Sequence, residues 1–121
     1  MLYFYNMSRT YDQDLVFKAL ADRRRREILD LLKNEPKTTG DLCEQFKEFD
    51  RCTVMLHLSV LEKAGLVIAK REGRRRWNYL NSVPIHEIYD RWINKYASHA
   101  IEVLAQLKHD LDPEPPAESS K

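Results

Sequence analysis

The chain has 121 residues, of which 43% are hydrophobic and 32% are charged, and its formal net charge is +1. No apolar run approaches the ~18 residues that cross a bilayer, so a membrane protein is excluded, and the length suits one domain plus tails. Three glycines leave no Gly-rich phosphate loop, and two cysteines make no disulfide framework, so we expect a cytoplasmic protein.

The charges are unevenly distributed along the chain. Four arginines occupy 23–26, and the stretch 70–76 carries five basic residues against one acidic residue. The stretch 110–121 carries four acidic residues against one lysine. Basic patches of this kind can bind phosphates in a nearly neutral protein, and the alternative is ordinary solvated charge.

The first third of the chain predicts an arm and two helices. Residues 1–10 have no clear period and are expected to form an N-terminal arm. Apolar spacing predicts a short helix over 12–21, and Asp22 is suited to cap a second helix that runs to about Asn34. Arginines in the first turn oppose the helix dipole, so their partner should be a nearby carboxylate or a DNA phosphate.

The next segment predicts a helix-turn-helix. Thr38-Thr-Gly-Asp41 matches a capping box and opens a short helix to about Phe46. Asp50 is a good N-cap for the following helix, and Gly65 stands where a helix ends in a left-handed residue. Two short helices joined by a few residues are typical of this motif.

The helix 50–64 has an apolar face and a mixed face. Val54, Leu58 and Leu61 point to the core, and His57 beside them is expected to be a packed, hydrogen-bonded core residue. The opposite face suits the DNA major groove, where arginine reads guanine, serine bonds either base type and apolar groups touch thymine methyls. The DNA contacts predicted on this helix are Arg51, Cys52, Thr53, Met55, Leu56, Ser59 and Lys63. The alternative is that Met55 and Leu56 pack under another part of the chain or under a partner.

The stretch 66–80 gives the clearest strand signal. Two β-prone runs flank Glu72-Gly73, which predicts a hairpin turn. A basic hairpin directly after such a helix is typical of a wing, which lies along phosphates or places an arginine in a narrow minor groove. The wing is expected over 70–78 and its DNA contacts are Arg71, Arg74, Arg75 and Arg76, with a generic charged hairpin as the alternative.

The last helix is predicted from about Ile85 to Leu111 and carries a continuous apolar stripe. About 27 residues span ~40 Å, which exceeds the thickness of a domain of ~100 residues, so a monomer would leave part of the stripe bare. We therefore expect a homodimer, with an interface formed by Leu15, Ile88, Trp92, Tyr96, Val103 and Leu107. Residues 112–121 are expected to be a disordered tail.

The order of elements and several motifs resemble the ArsR-type winged helix-turn-helix regulators of bacteria. The most specific piece is His57-Leu-x-x-Leu-x-x-Ala-Gly-Leu-Val67, and the resemblance covers roughly 14–111. It implies a mainly α fold with a small β-hairpin, in which a winged helix-turn-helix domain over 11–111 dimerises through its long C-terminal helix. It also implies repression at an operator palindrome and release of DNA by an inducer.

Metal sensing is not implied by this resemblance. The thiolates of that family's metal motif are replaced here by Thr38 and Gly40, and Trp92 stands where its other site has histidine. No metal and no cofactor are therefore expected. A redox role for Cys43 and Cys52 stays open beside the alternative of buried or idle cysteines.

The expected function is that of a sequence-specific DNA-binding transcriptional regulator, a homodimeric repressor with helix 50–64 in the major groove. Its expected partners are double-stranded DNA, a second copy of the chain and an unidentified small-molecule inducer. The alternative is a winged-helix protein-interaction module without specific DNA binding, in which Met55 and Leu56 form the docking patch. An enzyme is not expected, because no residue pair has the spacing of a nucleophile and its base.

Overall fold

The computed structural model describes residues 11–111, which include six α-helices and three strands. The elements are, in chain order, α1 Gln13–Leu20, α2 Arg23–Asn34, β1 Lys37–Thr38, α3 Thr39–Gln45, α4 Arg51–Lys63, β2 Val67–Glu72, β3 Arg75–Leu80, α5 Val83–Ile88, a π-helical turn Tyr89–Ile93 and α6 Asn94–Leu111. The predicted mainly α fold with a β-hairpin is confirmed. The predicted arm 1–10 and tail 112–121 lie outside the described residues.

Each of the helices α1 to α4 is preceded by a residue whose side chain accepts a hydrogen bond from a backbone N–H of the first turn. Asp22 Oδ1 accepts from the N–H of Arg24 at 2.7 Å, and Asp50 Oδ1 accepts from that of Thr53 at 2.9 Å. Thr38 forms the predicted capping box with Asp41 at the start of α3. Since capping chemistry is local, these helix starts could be predicted from the sequence.

The chain divides into two units, one ending at His86 and one beginning at Glu87. In the first unit, α1, α2 and α4 pack against one another, and α3 packs against α4 and β3. Their apolar faces form the core of this unit, whose buried hydrophobic residues are Val16, Ala19, Ile28, Leu29, Leu32, Leu42, Phe46, Val54, Leu58, Leu61, Ala64, Leu66 and Val67. The outer face of α4 is thereby left accessible.

The three strands form one antiparallel sheet in the order β1-β3-β2. Glu72 pairs with Arg75, so the turn lies at Gly73 and Arg74, one residue later than expected. Gly73 has a φ of 64°, and a tight hairpin turn needs a residue with such a positive φ, which glycine adopts readily. Strand β1 was not expected, because two residues are too short to show an alternating pattern.

A buried asparagine fixes β1 to the middle of the hairpin. Asn78 of β3 is fully buried, and its Nδ2 donates to the carbonyl of Lys37 and to Oγ1 of Thr39, both at 3.2 Å. The position and orientation of the wing are therefore tied to the start of the first helix of the helix-turn-helix.

The C-terminal segment differs from the prediction of one uninterrupted α-helix. It begins at Val83, whose N–H donates to Oδ1 of Asn81 at 3.2 Å, rather than near Ile85. A π-helical turn, Tyr89–Ile93, separates α5 from α6. A π-turn inserts one residue into an apolar repeat that otherwise keeps helical spacing, so periodicity alone did not reveal it. No residue of α6 is buried.

Candidate nucleic-acid interface

Helix α4 presents the mixed face that was predicted. Its inner positions Val54, His57, Leu58 and Leu61 are buried. On the outer face Met55 is 40% exposed and Leu56 65% exposed, so neither packs under another described part of the chain. The other predicted contacts on this helix are exposed, except Thr53, which is half-buried; the exposed ones are Arg51, Cys52, Ser59 and Lys63.

One arginine of the 23–26 run contacts the inner face of α4. Arg25 donates from Nε to the carbonyl of Ala19 at 2.8 Å and from Nη2 to that of Lys18 at 3.1 Å. Its Nη1 lies 3.3 Å from Nδ1 of His57 in α4. Arg25 thus connects the end of α1 to the inner face of α4, which sequence reasoning did not foresee.

The neighbouring arginines also have partners within the chain. Arg24 donates to both carboxylate oxygens of Asp22, and Arg26 donates to the carbonyl of Leu20 at 2.7 Å. The hydrogen bond from Arg24 lowers the pKa of Asp22 to about 2. The expected partner of this run was either a nearby carboxylate or a DNA phosphate, and for Arg24 the structure shows the carboxylate of Asp22.

His57 is the buried core histidine that the sequence predicted. Its burial lowers its pKa below 6.5, the carboxylate of Asp22 raises it, and the cations Arg24 and Arg25 lower it further. Phe49 contacts the imidazole edge-on, with ring centroids 5.8 Å apart. A neutral ring accepts the Arg25 hydrogen bond at Nδ1, so His57 serves to hold α4 against α2.

The wing places three of its four predicted arginines in solvent. Arg71, Arg74 and Arg75 are exposed at the hairpin tip. Arg76 instead forms an ion pair with Glu62 of α4, and only 19% of its side chain is exposed. Sequence reasoning missed Glu62, because no local pattern links it to a residue of the hairpin. This pair fixes the wing against the helix and leaves Arg76 already neutralised.

A cleft of about 410 Å³ lies between α4, the wing and the start of α3. Arg51 and Met55 of α4 line it together with Arg71, Arg74, Arg75 and Arg76, and Asp41 and Glu44 are the acidic lining residues. With Arg76 neutralised by Glu62, the lining still carries four basic side chains against two acidic ones. Basic groups of α4 and of the wing thus face one common space, as a phosphate backbone passing between helix and hairpin requires.

Most residues predicted for the dimer interface are exposed apolar side chains. Leu15 of α1 is 38% exposed. In the unit beginning at Glu87, Trp92, Tyr96, Val103 and Leu107 are between 47% and 54% exposed. Ile88, the remaining residue predicted for the interface, is only 1% exposed within the single chain. Periodicity identified an apolar position there, but it does not distinguish a residue buried in its own chain from one that meets a partner.

Neither cysteine is in a disulfide, Cys43 being half-buried and Cys52 exposed. Within residues 11–111, no group of three or more histidine, cysteine, aspartate or glutamate residues could hold a metal ion. None of the helices in this range is both long and apolar enough to cross a membrane.

Comparison with known proteins places these features in one family. The sequence profile described as "Bacterial regulatory protein, arsR family" matches residues 22–69, from the cap of α2 into β2. The chain is 39% identical to the uncharacterized HTH-type transcriptional regulator YuzN of Bacillus subtilis over 88 residues, which are 68% of this chain and 96% of that protein. It is 34% identical to the transcriptional repressor SdpR of Bacillus subtilis over 79 residues, covering 65% of this chain and 87% of that one.

Solved structures show the same likeness. An ArsR family transcriptional regulator, RHA00566, superposes with a TM-score of 0.62 at 25% identity, over 78% of this chain and 98% of that chain. The homodimeric winged helix-turn-helix DNA-binding domain of Mb0332 from Mycobacterium bovis gives a TM-score of 0.55 at 27% identity, over 85% and 89%. The chain therefore belongs to the arsR family of bacterial regulatory proteins and is a winged helix-turn-helix transcription regulator, not an enzyme.

Proposed function

We propose that the chain is a homodimeric transcriptional repressor that binds an operator palindrome, with α4 in the major groove and the wing on the flanking backbone or in the minor groove. The observation that carries the proposal is the cleft in which Arg51 of α4 and the wing arginines meet. Two basic elements that converge in this way suit a DNA duplex, since phosphates run on both sides of a helix that enters the groove.

The outer residues of α4 divide into two roles. Arg51, Cys52, Met55, Leu56 and Ser59 are proposed to face base edges, and Thr53, which is half-buried, contributes at the margin. The residues proposed to contact phosphates are Lys63, Arg71, Arg74 and Arg75. Arg76 leaves this set because Glu62 already neutralises it.

The proposed dimer uses the exposed apolar side chains of the C-terminal helical segment. Trp92, Tyr96, Val103 and Leu107 supply most of the interface, and Leu15 adds to it. Large apolar side chains along an exposed helix gain free energy when a second copy covers them. The homodimeric state of the Mycobacterium bovis relative supports the same assembly, and the Bacillus subtilis relative described as a transcriptional repressor supports repression.

The domain proposed to carry out this function spans residues 11–111. The protein would act in the cytoplasm, where bacterial operators are, and a small-molecule inducer would release it from DNA. The competing proposal, a protein-interaction module without specific DNA binding, relies on Met55 and Leu56 alone. The basic cleft beside them favours DNA.

Binding-site selection from random duplex DNA, combined with sedimentation of the free protein, tests this proposal. We expect an enriched palindrome with half-sites about one helical turn apart, and a dimer at working concentration. Lack of enrichment with weak, salt-labile binding would favour the protein-interaction module, and a monomer would contradict the interface.

Arg75→Gln and Lys33→Gln form a matched pair that tests the phosphate role. Arg75→Gln should weaken binding to all sequences alike and reduce the slope of log affinity against log salt by about one unit. Lys33 lies in the last turn of α2, away from the cleft, so Lys33→Gln should leave the slope unchanged. A changed sequence preference in Arg75→Gln would contradict its assignment to phosphate.

A further inference from the structure

The middle of the outer face of α4 is poor in hydrogen-bonding groups. Arg51 and Ser59 stand eight positions apart, which corresponds to about 12 Å along a helix and to three or four base steps. Between them, the exposed outer positions are Cys52, Met55 and Leu56, of which cysteine is only a weak donor. Base pairs that face this stretch must therefore be read mainly through apolar contact.

The two apolar side chains have different surroundings. Met55 lines the basic cleft next to Arg51 and the wing arginines, so it lies at the edge of the base-facing surface, beside the path proposed for the phosphate backbone. Leu56 lies about 100° further round the helix, is absent from the cleft lining and is 65% exposed. Leu56 is thus the large apolar group best placed to meet base edges.

The major groove offers one apolar feature to such a side chain, the methyl group at C5 of a pyrimidine. We infer that Leu56 reads a 5-methylpyrimidine in each half-site, an inference that rests on the proposed function. The basic residues on both sides of Leu56, Arg51 and Lys63, make the groove of a duplex the occupant that fits this position by charge.

A leucine has no group that distinguishes the O4 of thymine from the N4 amino group of cytosine. The position read by Leu56 therefore accepts thymine and 5-methylcytosine, and disfavours pyrimidines that lack the methyl group. An operator variant with cytosine at this position should consequently bind more tightly when that cytosine is methylated at C5. Transfer of one methyl group out of water corresponds to about fourfold in affinity per half-site, or ~15-fold for a palindrome.

Deoxyuridine scanning of the selected operator tests the inference, because uracil lacks the thymine methyl and keeps its hydrogen-bonding groups. We expect one thymine per half-site at which deoxyuridine weakens binding about fourfold. Leu56→Ala should bind thymine and deoxyuridine equally at that position, whereas Leu56→Met should retain the preference. At the same position 5-methylcytosine should bind better than cytosine.

Met55→Ala is the matched control, since it shortens the neighbouring apolar side chain. Whatever its effect on overall affinity, it should retain the deoxyuridine penalty. An operator that shows no deoxyuridine penalty, a penalty that persists in Leu56→Ala, or one that disappears only in Met55→Ala would overturn the inference and leave the proposed function intact. Failure to select any duplex would overturn both.

Discussion

Substitution of Gly65 by alanine should cost far more stability than the same change at Gly73. Both glycines have left-handed backbone angles, with φ of 80° and 64°. A methyl group at Gly65 would stand 2.4 and 2.5 Å from two ring carbons of Tyr11, whereas one at Gly73 would meet no heavy atom within 4 Å. The left-handed backbone alone costs alanine roughly 1–2 kcal/mol, which is the whole effect expected at Gly73.

At Gly65 the ring of Tyr11 must also move. Its hydroxyl accepts a hydrogen bond from Nδ2 of Asn81 at 3.0 Å, and the same Nδ2 donates to the carbonyl of Gly65 at 2.9 Å. Loss of the tyrosine hydrogen bond adds about 1 kcal/mol, and displacement of the packed ring adds a similar amount. We therefore expect Gly65→Ala to lower the free energy of unfolding by about 3–4 kcal/mol.

Equilibrium unfolding in urea at one fixed chain concentration measures both variants, since the stability of the proposed dimer depends on chain concentration. In a Tyr11→Ala background the clash is gone, so the cost of Gly65→Ala should fall to about that of Gly73→Ala. Equal costs for the two glycine variants in the wild-type background, or an unchanged cost without the tyrosine ring, would refute the reasoning.

Three further predictions concern polar groups of the first unit. Asn78→Ala removes two hydrogen bonds donated by a fully buried side chain and should lower the free energy of unfolding by about 2 kcal/mol in urea titrations. Because burial lowers the pKa of His57 below 6.5, the folded chain binds fewer protons than the unfolded chain in mild acid. Stability should thus fall as pH drops below 6.5, and His57→Gln should reduce this pH dependence in parallel melts. Arg76→Gln should leave the salt slope of DNA binding unchanged, because Glu62 already neutralises Arg76; a slope reduced by one unit would show that it contacts a phosphate.

Local chemistry explains why much of the helix-turn-helix could be predicted from sequence. Asp22, Thr38 and Asp50 cap their helices through atoms two or three residues away, so the signal lies in the sequence itself. The two faces of α4 followed from helical spacing, and the buried state of His57 followed with them. The apolar character of the last segment was equally visible, because the helical period depends on neighbouring residues.

Long-range pairings explain what could not be predicted. Arg25 and His57 are 32 residues apart, and nothing near either residue indicates the other. The same holds for the ion pair of Glu62 and Arg76, which occupies a wing arginine that we expected to contact DNA. Such pairs form only when packing brings distant segments together, so a run of basic residues in the sequence does not reveal which of them remain available.

Strand β1 has a consequence for how the protein folds. Lys37 and Asn78 are paired neighbours in one sheet although 41 residues separate them, so the segment containing α3, α4 and β2 forms a closed loop between adjacent strands. Closing this loop costs chain entropy that is offset only when the sheet is complete. We therefore expect the sheet to form late in folding and in one cooperative step. The two helices and the wing should therefore open and close as one unit, with amide protons at both ends of the loop exchanging at a common rate.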